Sequence, residues 1–432
     1  MITRDNGLRY AKLIHVSVDN GSTAQSNKVY IMEEESTGKI KCEYGRVGQS
    51  MTTVYKSSHE WNKVYKSKVN PRKGYTDVTD MIVESVSDPT INSTSNSKTV
   101  DIKCQKVRSL FNDLMSFANK SIQKNYKVTQ ESVTETQVNA AQEVIDRASA
   151  MVVKGMDVKG FNKVLIELYT IIPRNMKDVR DYLANSSDTD ADIKWVNEFL
   201  SSEQDTLDTM AGQVKLLKQQ KSVTVNDDTK DTQRGDEITI LEQMGLEVSE
   251  ETDSEKIALI NKLAGSNAHK IRQIYKTINN ETQLLFDKDL KLAKNKKRRL
   301  YWHGSRSENW FNILQSGLLI RPSGAVHTGS MWDDGIYYAS SADKSLGYTN
   351  GGRWASGSNR TSSVYLGLFD VRVGKQLVKD KHDSSCYRIN EQVKKGGYDS
   401  VHAKKGPSLR KDEFIVYNSK QSTIAYLVEF EY

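Results

Sequence analysis

Residues 298–310 read RRLYWHGSRSENW, and this stretch decides how the last part of the chain is read. Two arginines lead into Leu300, Tyr301 and Trp302, and the run then stops at His303, Gly304 and Ser305. Aromatic enrichment followed by a glycine stop predicts a strand that ends in a polar corner. Taken alone, His303 caps an ordinary strand. Beside hydroxyl and amide neighbours, it also opens a pocket for a ligand rich in hydroxyls and amides.

The runs that follow are dense in Tyr, Val, Ile and Phe: GIYYAS (335–340), SSVYLGLFDVRVG (362–374), DEFIVYN (412–418) and STIAYLVEFEY (422–432). Gly-rich loops separate them, so residues 223–432 are expected to form an α+β domain with a large, mainly antiparallel β-sheet core. A helical region is expected around 254–279 at its start. The polar stretch TVNDDTKDTQRGDE (224–237) marks the boundary before it.

Upstream, the period of the apolar residues changes twice. Between 101 and 222 it is helical: Val107, Leu110, Phe111, Leu114 and Met115 form one stripe, and Val138, Ala141, Ile145, Ala148 and Val152 another. Thr134 and Gln137 precede the second stripe in capping-box spacing. Residues 84–100, rich in Ser, Thr and Asn, read as a linker. Residues 1–83 alternate with period 2 in KLIHVSVDN, KVYIMEEES, KIKCEYGRVG and SMTTVYKS, then turn helical in HEWNKVYKSKV. The expectation is a multidomain α+β chain: a small antiparallel sheet with one helix, an all-α domain, and the α+β domain.

Composition bounds the function classes. The chain has 432 residues, 37% of them apolar and 27% charged, with a net charge of +7. That charge permits a nucleic-acid partner without requiring one. No run reaches the roughly 20 apolar residues of a membrane span, and the N-terminus lacks a signal-peptide core, so neither a membrane partner nor secretion is expected. Cys42, Cys104 and Cys386 lie too far apart for a zinc knuckle or redox pair, so no metal is expected and the cysteines should pack as small hydrophobes.

Four fragments of the last domain could share a pocket: His303-Gly304-Ser305 with Asn309, the DDGIYYASSADKSLGY segment, the RPSGAVHTGSMW loop, and Glu413. Together they resemble the His-Tyr-Glu triad of the poly(ADP-ribose) polymerases, here His303, Tyr337 and Glu413. LYWHGSR, DDGIYYASSADKSLGY and DEFIVYNSKQSTIAYLVEF match that family in order. TETQVNAAQEVI and ELYTIIP resemble its helical regulatory domain, and YGRVGQ (44–49) with Gly74-Tyr75 resembles its WGR domain.

The resemblance implies NAD+ as a substrate, with no permanently bound cofactor. It implies that the Gly304 backbone and the Ser345 hydroxyl hold the carboxamide, with Ser305 beside them at the pocket floor. Tyr348 and Tyr337 would flank the nicotinamide ring. His303 would hold an adenosine-ribose hydroxyl and Asn309 would approach the adenosine end. Glu413 would bind the 2′-hydroxyl of the nicotinamide ribose and polarise the attacking hydroxyl. Leu319 stands where the family often has Arg, and Arg321 is the candidate to take a phosphate or adenosine contact instead. Tyr338 stands where Phe is common. No Gly-x-Gly-x-x-Gly follows a strand, so a Rossmann mode of NAD+ binding is not supported.

Between 55 and 75, Lys56, Lys63, Lys66, Lys68, Arg72 and Lys73 face one acid, Glu60, and interleave with Tyr55, Trp61, Tyr65 and Tyr75. Such a segment is either a solvated helix face or a surface that neutralises phosphates and stacks bases. The WGR resemblance favours the second, with Tyr44 in place of the family's Trp and with Gly45 and Arg46 kept. DNA-binding candidates are therefore Tyr44, Arg46, Lys63, Lys66, Lys68 and Arg72. The implied protein is a DNA-break-activated poly(ADP-ribosyl)transferase that modifies itself and nearby proteins and is monomeric off DNA. Its alternatives are a mono-ADP-ribosyltransferase and an inactive DNA-end-binding module. The compartment would be nuclear in a eukaryotic host and otherwise cytoplasmic, and the KNKKRR run (294–299) is either an import signal or a solvated turn. The sequence ends at VEFEY (428–432), with almost nothing beyond the last strand, so a docked accessory factor is not expected.

Overall fold

The computed structural model describes residues 1–4, 6–18, 25–82, 102–126, 133–154, 157–185, 195–196, 199–212, 214, 239–320, 331–350, 352 and 363–431. The linker expected at 84–100, the polar boundary at 224–237 and Arg321 lie outside them. The chain divides into two compact units. The first comprises Met1–Asn96, Lys120–Val214 and Gly324–Thr328, and the second Ser97–Asn119, Lys215–Ser323 and Gly329–Tyr432.

In the first unit the period-2 runs form an antiparallel sheet of β1 (Ile2–Thr3), β2 (Arg9–Val18), β3 (Gln25–Glu34), β4 (Lys39–Arg46) and β5 (Thr52–Ser57) in that order, with β6 (Thr76–Asp77) beside β2. Alternation gives the sheet two apolar faces. Ala11, Leu13, Tyr30, Met32, Ile40 and Cys42 pack under α1 (Trp61–Val69) through Trp61 and Val64. Ile14, Val16 and Val29 join the other core, which holds the helical residues.

The helices are α2 (Gln105–Tyr126), α3 (Glu135–Lys154), α4 (Val158–Ile171) and α5 (199–212). The capping box before α3 is made as its spacing implies: Gln137 N donates to Thr134 Oγ1 at 3.2 Å, and Thr134 N to Gln137 Oε1 at 3.1 Å. The domain plan differs from the one expected. The first half of α2, with Val107, Leu110, Phe111, Leu114 and Ala118, is core of the second unit, and the unit boundary falls between Asn119 and Lys120. An uninterrupted apolar stripe has the same period whichever body it packs on, so patterning could not show this.

The second unit holds two sheets rather than one large one. The five-stranded sheet runs β7 (Leu246–Glu250), β8 (Ile271–Asn279), β15 (Ser422–Glu431), β11 (Ser363–Arg372), β9 (Arg298–Gly304). The four-stranded sheet runs β10 (Ile336–Tyr338), β14 (Glu413–Val416), β13 (Ser400–Ala403), β12 (Gln376–Lys379). All pairs are antiparallel except β12 with β13. Helices α6 (Ser254–Ala264), α7 (Asn280–Leu292), α8 (Trp310–Ser316), α9 (Ala342–Leu346) and α10 (Ile389–Lys395) also belong to this unit.

Residues 271–279, expected as helix, form β8. Ile271, Ile274, Tyr275 and Ile278 fall at helical spacing, which misleads the sequence reading. Pairing with β7 on one edge and β15 on the other overrides that signal. Cys42 and Cys386 are buried as expected, whereas Cys104 is exposed.

Candidate active site

The two sheets of the second unit meet where β9 ends. Trp302 and Ala339 exchange backbone hydrogen bonds of 2.8 and 2.9 Å, which bridges β9 to the residue after β10. Tyr301 stacks on Phe414 with ring centroids 4.1 Å apart. Strand β10 pairs with β14, Tyr337 opposite Ile415. Three distant stretches of sequence are thus joined, and His303, Tyr337 and Glu413 come from them.

His303 is half-buried among aromatic edges, with Trp310, Tyr338 and Phe369 centroids 6.0–6.5 Å away. Its Nδ1 lies 2.9 Å from the Tyr337 carbonyl, which can only accept, so Nδ1 carries the proton. Burial lowers the imidazole pKa and the carbonyl contact only partly opposes this. The ring is therefore neutral at pH 7, with Nε2 as an acceptor for a hydroxyl.

Gly304 follows in a position only glycine can fill. A Cβ there would sit 1.9 Å from the backbone oxygen of Ser345. Ser345 is itself buried, on α9. This close approach puts a strand end and a helix backbone side by side. Beyond it, Asn309 Nδ2 donates to Ser305 Oγ at 3.0 Å, while the Asn309 side-chain oxygen is buried without a protein partner among the described residues.

The Tyr337 hydroxyl donates to the Asp333 carbonyl at 2.7 Å and receives the Trp332 N–H at 3.0 Å. Tyr417 donates to the Trp332 carbonyl at 2.6 Å. Both tyrosines thus brace the turn before β10, where Asp333 adopts φ 67°. Burial raises the Tyr337 pKa, and so does the charge of Glu413. Tyr348 is pushed up to about 12 by burial and then by Glu413. Its side chain is 40% exposed, so its ring is accessible for stacking.

Glu413 opens β14 and is buried, with 7% of its surface exposed. Lys344, absent from the sequence-based candidates, sends Nζ to within 2.5 Å of Glu413 Oε1. Its place just before Ser345 in the DKSLGY run was the available signal, but a lysine there reads as a solvated side chain. The second carboxylate oxygen has no partner among the described residues.

The family model described as "Poly(ADP-ribose) polymerase catalytic domain" matches residues 249–432. A putative poly [ADP-ribose] polymerase-like protein, 100L, of Invertebrate iridescent virus 6 is 31% identical over 185 residues, 42% of this chain and 96% of that protein. The chain belongs to the poly(ADP-ribose) polymerase family. An uncharacterized protein, 101L, of the same virus is 32% identical over 208 residues, 48% of this chain and 78% of that protein. Human poly [ADP-ribose] polymerase 2 is 32% identical over 155 residues, 31% of this chain and 27% of that protein. This member of the family is an NAD+ ADP-ribosyltransferase.

The remaining candidates of this polymerase-family chain lie in the first unit. Tyr44 on β4 is 37% exposed and stacks on Tyr30 at 5.5 Å. Lys68 Nζ sits 3.7 Å from the Tyr30 ring centre, with the Tyr44 and Tyr75 rings 5.8 and 5.5 Å away. Burial, and then Lys73, lower the Lys68 pKa. Lys63, Lys66 and Arg72 are exposed. Arg46 differs from the others. Its guanidinium donates to the Met176 carbonyl at 2.9 and 3.1 Å and to the Lys177 carbonyl at 2.6 Å. That binds β4 to the segment after α4 and commits the guanidinium to backbone carbonyls. Asn27 Nδ2 donates to the Arg174 carbonyl at 2.7 Å along the same segment.

Proposed function

We propose that the protein is a poly(ADP-ribosyl)transferase activated by DNA strand breaks, acting on itself and on proteins near the break. The observation that carries the transferase half is Glu413, buried at the start of the strand that pairs with the Tyr337 strand and held by Lys344 through one oxygen only. Gly304 and Ser345 hold the carboxamide, and the accessible Tyr348 ring stacks on the nicotinamide. The neutral His303 accepts from a ribose hydroxyl through Nε2, with Asn309 toward the adenosine end.

The nicotinamide–ribose C–N bond breaks with its electron pair going to the ring nitrogen, which neutralises the pyridinium. Positive charge develops on the ribose as the bond lengthens, and the Glu413 carboxylate stabilises it. Its free oxygen binds the 2′-hydroxyl, which orients the sugar. An acceptor hydroxyl then forms the new bond at C1′ through its oxygen and releases its proton to solvent. When the acceptor is a ribose hydroxyl of an earlier unit, Glu413 polarises it, and a chain grows.

The DNA half rests on the exposed Tyr44 ring, the Lys68 cluster behind it, and the basic face of Lys63, Lys66 and Arg72. Arg46 and Asn27 link that sheet to the segment after α4, a route by which DNA engagement could bias the helices. The site of action follows the DNA, in the nucleus where the host has one. Labelled NAD+ with and without nicked DNA tests both halves. A polymer ladder that requires nicked DNA is expected. A single labelled band marks a mono-transferase, and no incorporation with DNA still bound marks an inactive DNA-end-binding module.

A further inference from the structure

Glu413 is not fixed by Lys344 alone. Lys411, two residues before it, sends Nζ back to α9, 2.6 Å from Asp343 Oδ2 and 3.2 Å from Ser341 Oγ. Lys344 crosses the other way, reaching Glu413 Oε1 at 2.5 Å and the Lys411 carbonyl at 3.3 Å. Each lysine is rooted on one element and bonded to the other. Ser341 stands at the N-cap of α9, yet its hydroxyl makes no capping bond to the helix and receives Lys411 instead.

The two sides differ in how they are otherwise held. Helix α9 is anchored by Ala342 and Leu346, buried with Trp302, Val364 and Leu366. Residues 410–412 are not buried: Arg410 is exposed, and Asp412 is tied to His402 Nε2 and the Lys405 N–H at the surface. Loss of the Lys411 bonds therefore frees the strand side and leaves α9, with Ser345, in place. The Lys411 carbonyl is the second oxygen that orients Lys344.

We propose that Lys411 and Asp343 form a latch that positions Glu413 for ADP-ribosyl transfer, by fixing the carbonyl that holds Lys344. They are positioning residues and need not touch NAD+. The inference rests on Glu413 being the group that acts on the ribose.

The test uses the full chain with nicked DNA and labelled NAD+, comparing Lys411→Met, Asp343→Asn, Lys411→Arg, and Lys411→Asp combined with Asp343→Lys. The two single disruptions are expected to lower kcat roughly tenfold, because small misplacements of reacting groups are costly. KM for NAD+ should stay within about twofold, since Ser345 and His303 are undisturbed. Lys411→Arg and the charge exchange should recover most of kcat. The latch is overturned by single variants with unchanged kcat, or by a KM that rises as far as kcat falls. It is also overturned if the exchange stays as slow as the singles at an unchanged melting temperature. Glu413→Gln run in parallel separates the two claims. If it transfers at the normal rate, the assignment of Glu413 fails and the latch with it; if it is inactive while the latch variants are normal, the latch alone fails.

Discussion

Lys344 Nζ lies 2.5 Å from Glu413 Oε1, with side-chain exposures of 16% and 9%. Removing one member of a largely buried pair leaves the other charge without compensation, which is costly in its own right. Glu413→Gln should fold with a lowered melting temperature, since the amide fills the same space but leaves Lys344 without its counter-charge, and should lower transfer by roughly 10²–10⁴-fold. Polymer should vanish while some NAD+ cleavage or single transfer remains. Lys344→Met should lower both kcat and melting temperature, because it strands the carboxylate. Kinetics read beside thermal melting check this, and long chains made by Glu413→Gln would refute the role of Glu413.

A second expectation concerns pH. Burial holds the His303 imidazole below its ordinary 6.5. On acidification the unfolded chain takes up this proton first, so this group's contribution to stability is lost as pH falls below about 6.5. Asp334 acts in the opposite sense. Burial and then Asp333 raise it to about 6, so its contribution is present at acid pH and lost as pH rises through that value. The wild-type melting curve sums the two, and a His303→Gln variant removes one of them. Wild type should lose melting temperature relative to His303→Gln as pH drops below about 6.5, and its KM for NAD+ should rise as Nε2 is protonated. A constant difference between the two proteins across that range would remove His303 from this role.

The strands that carry the candidate site were legible in the sequence, because its residues sit on short, strongly patterned strands. The Leu300-Tyr301-Trp302 run marked β9, and GIYY and EFIVY marked β10 and β14, so His303, Tyr337 and Glu413 could each be placed on an element. What no local pattern carries is the pairing of distant charges. Lys344 and Lys411 look like solvated lysines until the fold crosses them between α9 and β14. Arg46 illustrates the same gap, since its carbonyl partners at Met176 and Lys177 lie in a different expected domain. Strand β8 does not follow its helical spacing, and the unit that the first half of α2 packs in is not legible from its stripe, because hydrophobic period reports which face is apolar and not what covers it.

A third expectation concerns stability away from the site. Arg372 on β11 is buried, and its guanidinium bonds both Asp289 at 2.5 Å and Asp399 at 2.8 Å. The three groups tie α7, β11 and the turn before β13 together, and Gln421 Nε2 donates to the Arg372 carbonyl at 3.1 Å. Arg372→Leu leaves two carboxylates facing each other without their cation, so it should cost about 3–5 kcal/mol of unfolding free energy. Adding Asp289→Asn and Asp399→Asn to Arg372→Leu should recover part of the loss, because the uncompensated charge is then gone. Urea unfolding of the three proteins measures it; a loss below about 1 kcal/mol for Arg372→Leu would mean that the triad is as loosely held as an exposed surface pair.

The last expectation separates the roles of Tyr44, Arg46 and the exposed lysines in DNA engagement. Tyr44 is partly exposed and backed by Tyr30 and Lys68, so its ring is accessible for stacking on a terminal base or sugar. Tyr44→Ala should weaken binding to a nicked duplex by about 1–3 kcal/mol, with little change in salt dependence, because stacking releases no counterions. Lys63→Gln and Lys66→Gln remove positive charge from the exposed face of α1. Each should flatten the slope of log affinity against log salt by roughly 0.9 if it meets a phosphate. Arg46 should follow neither pattern. Its guanidinium is committed to the Met176 and Lys177 carbonyls, so Arg46→Ala should lower the melting temperature of the first unit and uncouple DNA binding from NAD+ turnover. Fluorescence anisotropy on nicked DNA at several salt concentrations, alongside DNA-stimulated transfer, distinguishes the three behaviours. If Arg46→Ala binds DNA more weakly with a flattened salt slope, and melts like wild type, its side chain serves the DNA and not the link to the segment after α4.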